Sequence, residues 1–507
     1  MTLAVVRTRA CEGVRAPEVL IEAQLAPGLP AFNLVGLPEA EVREARDRVR
    51  AAIHNAEIDF PVRRVTINLA PADVPKEGSR FDLGIALGVL AAAELLPIKP
   101  FENHEFFAEL SLGGDLRAVR GLLPGVWRCL QAGRIPVIAA DNASEATLVA
   151  GLGSIKLARN LLEVCAYLRG GLELPDCPLP PPGLGRPGDL DLADVRGQHH
   201  ARRALEVAAA GAHHLLFVGP PGTGKTMLAS RLPGIMPPMS EELALEVAAV
   251  ASVSVFGVDL ERWRQRPFRA PHHTASGVAL VGGGSSPKPG EISLAHQGVL
   301  FLDELTEWPR AVLDVLREPL ESGRIIISRA ARQAEFPARF QLVAAMNPCP
   351  CGYAGDPSGR CHCSAEVIGR YRNRVSGPML DRIDLQVEVP RVPQAELRAE
   401  APPGESSAVV RARVVACREL QLERAGMPNA QLSGELLMRH CPLGAREQQL
   451  LDRVVDRFGL SARAYHRLLK LARTIADLVQ SERIDSTHLA EAISYRKMDR
   501  AQSPQAA

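Results

Sequence analysis

Apolar and polar positions recur with different periods along the chain. In EAEVREARDRVRAAI (39–53), Val42, Ala45, Val49 and Ala52 return at steps of three and four, which places them on one face of a helix. VRRVTINLAP (62–71) reads as a strand, and FDLGIALGVLAAAELL (81–96) as a largely buried helix. Beyond residue 192 the pattern becomes short apolar strands that end in turn motifs, and from about residue 393 it is mainly helical and rich in Arg. Between the first two regions, LPDCPLPPPGLGRPGDLDL (174–192) is too dense in Pro and Gly for continuous helix or sheet and reads as a semi-rigid linker. EAPPGESSAVV (400–410) reads as a second, exposed connection, and no solenoid repeat is present. The expected organisation is an α/β domain over 1–172, a linker over 173–192, an α/β core over 193–392 and a helical domain over 393–507.

Composition narrows this picture only slightly. A chain of 507 residues exceeds one hydrophobic core, and 46% hydrophobic with 23% charged residues is ordinary for a soluble globular protein. The longest apolar run, 85–93, stops at Glu94, well short of the roughly 20 residues that span a bilayer. The first residues lack an apolar stretch behind a basic start, so no secretory signal or membrane partner is expected, and the expected location is cytoplasmic. Cysteines there stay reduced, and clustered ones suggest metal. A net charge of +1 leaves nucleic-acid binding to local basic faces, and 4% aromatic residues favour backbone-tracking over base-stacking contacts.

The densest chemical signal is HHLLFVGPPGTGKTMLASRL (213–232). An apolar strand runs into Gly219, Pro220, Pro221, Gly222, Thr223, Gly224, Lys225 and Thr226, the spacing G-x-x-x-x-G-K-T, and then into a helix. Such a loop wraps phosphates with backbone N–H groups, Lys225 reaches the β- and γ-phosphates of ATP, and the Thr226 hydroxyl ligates Mg²⁺. A second strand ends in Asp303 and Glu304, one a carboxylate for the Mg²⁺ shell and the other placed to polarise the attacking water. A third, FQLVAAMNP, ends in Asn347, whose amide can hold that water or the γ-phosphate.

MNPCPCGYAGDPSGRCHC (346–363) follows at once. Cys349, Cys351, Cys361 and Cys363 form two C-x-C pairs, while the other six cysteines are scattered. Two such pairs can converge into a Cys₄ site, and closed tetrahedral thiolate sites are usually structural Zn²⁺ sites. His362 could replace one ligand, and four reduced thiols without metal are the alternative.

Together these motifs resemble an AAA+ ATPase, and several longer segments sharpen the likeness. SGPMLDRIDLQVEVP (376–390) resembles the arginine-finger segment of the magnesium-chelatase and MCM branch, with Arg382 in the finger position. LSARAYHRLLKLARTIADL (460–478) resembles a sensor-2 helix, with Arg463, or alternatively Arg467, as the γ-phosphate contact. With DLADVRGQHHARRALEVAAAGAHHLLFVGPPGTGKTMLA in front, the whole chain is similar to the YifB/ComM family of magnesium-chelatase-like ATPases. That resemblance implies an AAA+ P-loop core with a parallel sheet, a C-terminal helical lid, and a DVRGQ segment (194–198) whose Val195 lies beside the adenine. It also implies that the finger acts in a neighbour's site within a homo-oligomeric ring, by resemblance a hexamer.

The first domain resembles the Lon-protease and ribosomal-S5 type of α/β fold. Aligned on PADVPKEGSRFDLGIAL, the protease serine falls on Arg80, flanked by Phe81 and Asp82, with Ser79 one position away. Neither Lys99 nor Lys156 lies in a matching context, so no Ser–Lys dyad is expected, and Arg80 suits a phosphate or an intersubunit acid better. Segments 262–297 and 322–340 resemble the insertions of the chelatase–MCM branch. Arg269, His272, His273, Lys288, Arg329 and Arg332 are their candidate DNA-phosphate contacts, and Arg463, Arg467 and Lys470 form a basic helical stripe. The family implies a helicase that promotes branch migration of DNA during natural transformation. A metal-insertion ATPase and a chaperone or protease ring are the competing readings.

Overall fold

Two kinds of strand build two kinds of sheet. In the computed structural model, which describes residues 2–181, 190–284, 287–329, 332–357, 359–393, 396 and 404–496, strands β1 (Thr2–Arg9) and β2 (Glu18–Ala26) begin a seven-stranded mixed sheet. Burial along β2 alternates residue by residue, so one face is apolar and the other partly wet. The remaining strands are β3 (Ala31–Val35), β4 (Arg64–Ala70), β5 (His104–Phe107), β6 (Ile135–Ala139) and β7 (Lys156–Ala158), in spatial order β3-β4-β2-β1-β5-β6-β7. Helix α1 (Ala40–Asn55) turns Val42, Ala45, Val49 and Ala52 into the core, as their spacing predicts. Helix α2 (Asp82–Ala92) is buried along its whole length.

The central sheet has no such alternation. Strands β8 (Leu215–Val218), β9 (Phe268–Arg269), β10 (Val299–Leu302), β13 (Gln341–Met346) and β14 (Leu385–Glu388) are all parallel, in the order β9-β10-β13-β8-β14. Every residue of β8, β10 and β13 is buried. A parallel sheet covered on both faces needs apolar side chains in both directions, which is why LLFV and VLFL read as unbroken runs. An antiparallel hairpin, β11 (Arg324–Arg329) with β12 (Arg332–Pro337), occupies the segment 322–340.

The first sheet packs on the core through a mixed cluster. Phe107, Ile138 and Val126 of helix α3 (Leu123–Gln131) meet Ala244, Leu245 and Ala248 of helix α6 (Glu241–Val253), together with Trp263. Arg15 adds an exposed ion pair to Glu335 at 2.6 Å. Part of the expected linker belongs to the first unit: Leu174 and Cys177 are buried, and Thr147 Oγ1 donates to Pro178 O at 2.7 Å. Residues 182–189 lie outside the described ones.

Helices α4 (His199–Gly211), α7 (Ser407–Ala425), α8 (Ala462–Leu478) and α9 (Ser486–Ser494) share one apolar core with the central sheet. The basic stripe expected on α8 is largely engaged inside the protein. Arg467 donates to Asp384 Oδ1 at 2.6 Å and Lys470 to Ala430 O at 2.9 Å. Among the described residues no helix is long and apolar enough to cross a membrane.

Candidate active site

Parallel register gathers the three polar strand ends. Val218 lies opposite Met346, and Leu302 opposite Ala344, so the residues that follow β8, β10 and β13 leave the sheet along one edge. There they line a cleft of 410 Å³: residues 221–227, Asp303, Glu304, Met346 and Asn347. The loop before helix α5 (Lys225–Ile235) has Gly222 and Gly224 at φ of 76° and 89°, a region L side chains rarely adopt. A Cβ on Gly219 would lie 2.2 Å from Val389 O, so the residue that follows β14 lies directly against the loop.

Inside the cleft Lys225 Nζ donates to Gly219 O at 2.7 Å, Pro220 O at 2.9 Å and Asn347 Oδ1 at 3.2 Å. Burial lowers its pKa, while Asp303 and Glu304 pull the other way. Among the described residues this ammonium has polar contacts but no directly bound carboxylate, and a polyphosphate would supply the missing charge. Thr226 Oγ1 donates to Asp303 Oδ2 at 2.8 Å, which brings the two proposed Mg²⁺ ligands together. The groups present therefore suit a nucleoside triphosphate with its divalent ion.

Some of the surrounding contacts had no linear signal. Glu304, at φ 49°, is paired with His273 Nδ1 at 2.9 Å. His273 follows β9, the neighbour of β10, so two loops distant in sequence leave the sheet side by side. Charge alone made His273 a candidate DNA-phosphate contact. Gln198 reaches the phosphate loop: its Nε2 donates to Thr223 O at 3.3 Å and Pro390 O at 2.6 Å. Val195 is buried in the core and does not line the cleft.

The arginines are placed elsewhere. Arg382 donates to Pro378 O at 2.7 Å and to Glu321, and it lines a separate pocket of 400 Å³ with Asp314, Arg317, Glu318, Glu321 and Ser322. Arg463 is exposed on α8 and does not line the cleft of its own chain. Arg467, the alternative, is held by Asp384, which precedes β14 at the end of the sheet opposite the phosphate loop.

Several charge-based expectations are corrected by burial. Arg80 is enclosed, with its guanidinium on Arg120 O at 2.6 Å and Gly121 O at 3.4 Å, so it is not free for a phosphate or a neighbour's acid. Ser79 donates to Glu109. Arg269 makes a two-pronged pair with Glu291, both contacts at 2.6 Å. His272 and Lys288 are exposed, and the side chains of Arg329 and Arg332 lie outside the described residues.

The cysteine loop converges. Cys349, Cys351, Cys361 and Cys363 have sulfurs within 4.8 Å of one another, and three of these separations are 3.3, 3.8 and 3.7 Å. A tetrahedral zinc–thiolate shell, with bonds of about 2.3 Å, has sulfur–sulfur edges of about 3.8 Å. The residues fit such an ion.

Fold and cleft define a class: a P-loop nucleotide-binding protein of the AAA+ type. Comparison with known proteins narrows it. The models "Magnesium chelatase, subunit ChlI", "Subunit ChlI of Mg-chelatase" and "Magnesium chelatase, subunit ChlI C-terminal" match residues 191–397, 21–142 and 404–496. The chain is 52% identical to "Competence protein ComM" of Haemophilus influenzae, over 99% of this chain and 98% of that protein. It is 50% identical to "Uncharacterized protein YifB" of Escherichia coli with the same coverage, and 27% identical to "Lon protease 2" of Bacillus subtilis over 31% of this chain and 32% of that one. The chain belongs to the YifB/ComM family of magnesium-chelatase-like AAA+ ATPases.

Proposed function

We propose that this chain is the protomer of an ATP-driven ring, by resemblance a hexamer, that moves DNA strands and promotes branch migration during recombination or transformation. The observation that supports it best is the near-full-length likeness to a competence protein, combined with a cleft that holds every expected catalytic group except the two arginines, Arg382 and Arg463. In this reading Lys225 and the backbone of 219–226 bind the phosphates. Thr226 and Asp303 would hold Mg²⁺, which would supply positive charge to neutralise the phosphates. Glu304 accepts the proton of the attacking water, Asn347 orients that water or the γ-phosphate, and Arg382 enters the cleft of a neighbouring protomer. Arg463 is assigned to a neighbour's nucleotide as well, because it lies away from its own cleft. Val195 is assigned to the adenine by resemblance, and Gln198 ties that segment to the phosphate loop at Thr223 O.

We further assign Cys349, Cys351, Cys361 and Cys363 one structural Zn²⁺, on the sulfur spacing. A metal-insertion motor is the second reading, favoured by the description of the family models. One experiment separates them: ATPase rate with no nucleic acid, single-stranded DNA and forked DNA, at two salt concentrations. Stimulation that weakens steeply with salt is expected, because phosphate contacts release counterions. A rate indifferent to every DNA at low salt overturns the strand-moving reading.

A further inference from the structure

Gly352 is where the cysteine loop touches the nucleotide cleft. The residue lies between the two C-x-C pairs, and its N–H donates to Cys349 O at 2.9 Å, closing a turn around the first pair. Its φ is +84°, and a Cβ there would stand 2.8 Å from Pro221 Cδ and 3.9 Å from Asn347 Cγ. Pro221 is part of the phosphate loop, and Asn347 is the amide that receives Lys225. Backbone of the thiolate turn thus lies flat on the loop and beside the strand end.

The rest of the turn is fastened to neighbouring structure. Cys349 is fully buried, and Ala354 N–H donates to its Sγ at 3.3 Å. Arg391 pairs with Asp356 at 3.0 Å and sits over the Tyr353 ring at 5.5 Å, while Arg360 sits over the same ring at 4.3 Å. Arg391 comes just after Val389, whose carbonyl presses on Gly219. Arg372 Nε donates to Pro348 O at 3.2 Å. The phosphate loop is therefore bounded by Val389 at Gly219 and by the thiolate turn at Pro221, and the turn has no apolar core of its own among the described residues apart from Cys349.

We propose that the four-thiolate metal site is a brace for the phosphate loop: the bound ion holds Gly352 against Pro221, and through this contact sets the affinity for the nucleotide's phosphates. The proposal rests on the zinc assignment above. A polar Gly- and Pro-containing turn has little burial to fix its shape, whereas four metal–sulfur bonds fix it in one arrangement. When the ion leaves, the turn loses its closure and the phosphate loop loses one boundary, so binding must pay for ordering it. Coupling between two sites is reciprocal, so a bound nucleotide must retain the metal by the same factor by which the metal tightens the nucleotide.

The test uses the full chain and does not depend on turnover. Zinc content is measured by elemental mass spectrometry, and MgADP affinity by calorimetry, before and after removal of zinc with a chelator and again after zinc is returned. We expect one zinc per chain, an affinity for MgADP about tenfold weaker after stripping, recovery on reloading, and an equilibrium zinc affinity, measured by competition with the chelator, about tenfold tighter at saturating MgADP. Gly352→Ala keeps all four thiols. It is expected to retain zinc and to bind MgADP several-fold more weakly, because its Cβ drives the turn off Pro221. Cys363→Ser is expected to lose both zinc and affinity. Protein that never takes up zinc overturns the metal assignment and the brace together. Zinc bound at one per chain, with MgADP affinity unchanged on stripping in a protein whose circular dichroism is unaltered, overturns the brace alone. Gly352→Ala with full zinc and full affinity does the same.

Discussion

The cleft at the phosphate loop and the pocket around Arg382 have almost the same volume, 410 and 400 Å³, and opposite linings. In the first, backbone donors and Lys225 await an anion, two acids await a cation, and no arginine is present. In the second, Arg382 stands among Asp314, Glu318 and Glu321, with no group that binds phosphate except itself and Arg317. Its Nε is buried without a hydrogen-bond partner among the described residues, so its bonding is incomplete. In the proposed ring these two pockets are the two halves of one site: a cleft without an arginine in one protomer, and an arginine paired, among the described residues, only with Glu321 in the next. On that reading the unit of chemistry is larger than the chain.

The strongest way to break this comparison is to disable each pocket separately. Lys225→Ala should lower kcat/KM on the order of 10³-fold, with loss of nucleotide binding, because a preorganised charge in a water-poor site is removed. Arg382→Ala should lower kcat by a similar order, about 10³-fold, while MgADP affinity is kept. Mixing the two inactive variants should restore measurable ATPase, since some junctions then pair an intact cleft with an intact arginine. Additive inactivity in the mixture, in protein shown to be assembled, would mean that Arg382 serves its own chain or none.

A smaller effect concerns how the arginine's segment is anchored. Asp384, two residues beyond Arg382, accepts from Arg467 and from His214 N–H, at 2.6 and 3.0 Å. Burial pushes its carboxyl up, but Arg467 and His213 more than offset this and hold it well below the usual range. Asp384→Ala leaves Arg467 without its buried partner and should cost about 3–5 kcal/mol in denaturant unfolding. Acid should weaken the same anchor in two steps. Burial lowers the His214 pKa to about 4, so between about pH 6.5 and 4 the unfolded chain takes up a proton that the native one refuses, and stability falls. Below about pH 4 the stabilisation from ionised Asp384 is lost in turn. Thermal melts from pH 7.5 to 4.5 should therefore slope downward, and His214→Asn should flatten the slope by up to about 1.4 kcal/mol per pH unit.

The smallest change sharpens the cleft itself. His273 Nδ1 lies 2.9 Å from the carboxylate assigned to receive a proton from water, and an exposed pair of this type contributes at most about 1 kcal/mol. His273→Ala should raise basal kcat by no more than about fivefold with KM unchanged. A fall in kcat would show that the imidazole positions Glu304 productively.

Legibility followed locality. The phosphate loop, Asp303, Glu304 and Asn347 were readable because each ends or follows a buried parallel strand, and parallel strands put their carboxyl ends on one edge. Burial of α1 and α2 was readable from the spacing of small and branched residues. Arg80 and Arg269 looked like surface cations because charge suggests exposure. Their carbonyl and carboxylate partners, Arg120, Gly121 and Glu291, lie 22 to 41 residues away. The pairing of Glu304 with His273 follows from β9 lying beside β10, an order that no single segment encodes.

By itself the sequence determined what each short stretch can do: wrap a phosphate, end a strand in acids, or offer four thiols within fifteen residues. These properties depend on backbone geometry and side-chain chemistry over a few residues. Tertiary structure alone decided which of them meet: Lys225 with Asn347, Gly352 with Pro221, Arg467 with Asp384, and Arg382 with none of the cleft. Those meetings depend on strand order and on the close packing of loops from distant parts of the chain, where a single Cβ, which on Gly352 would stand 2.8 Å from Pro221, decides whether two loops can touch.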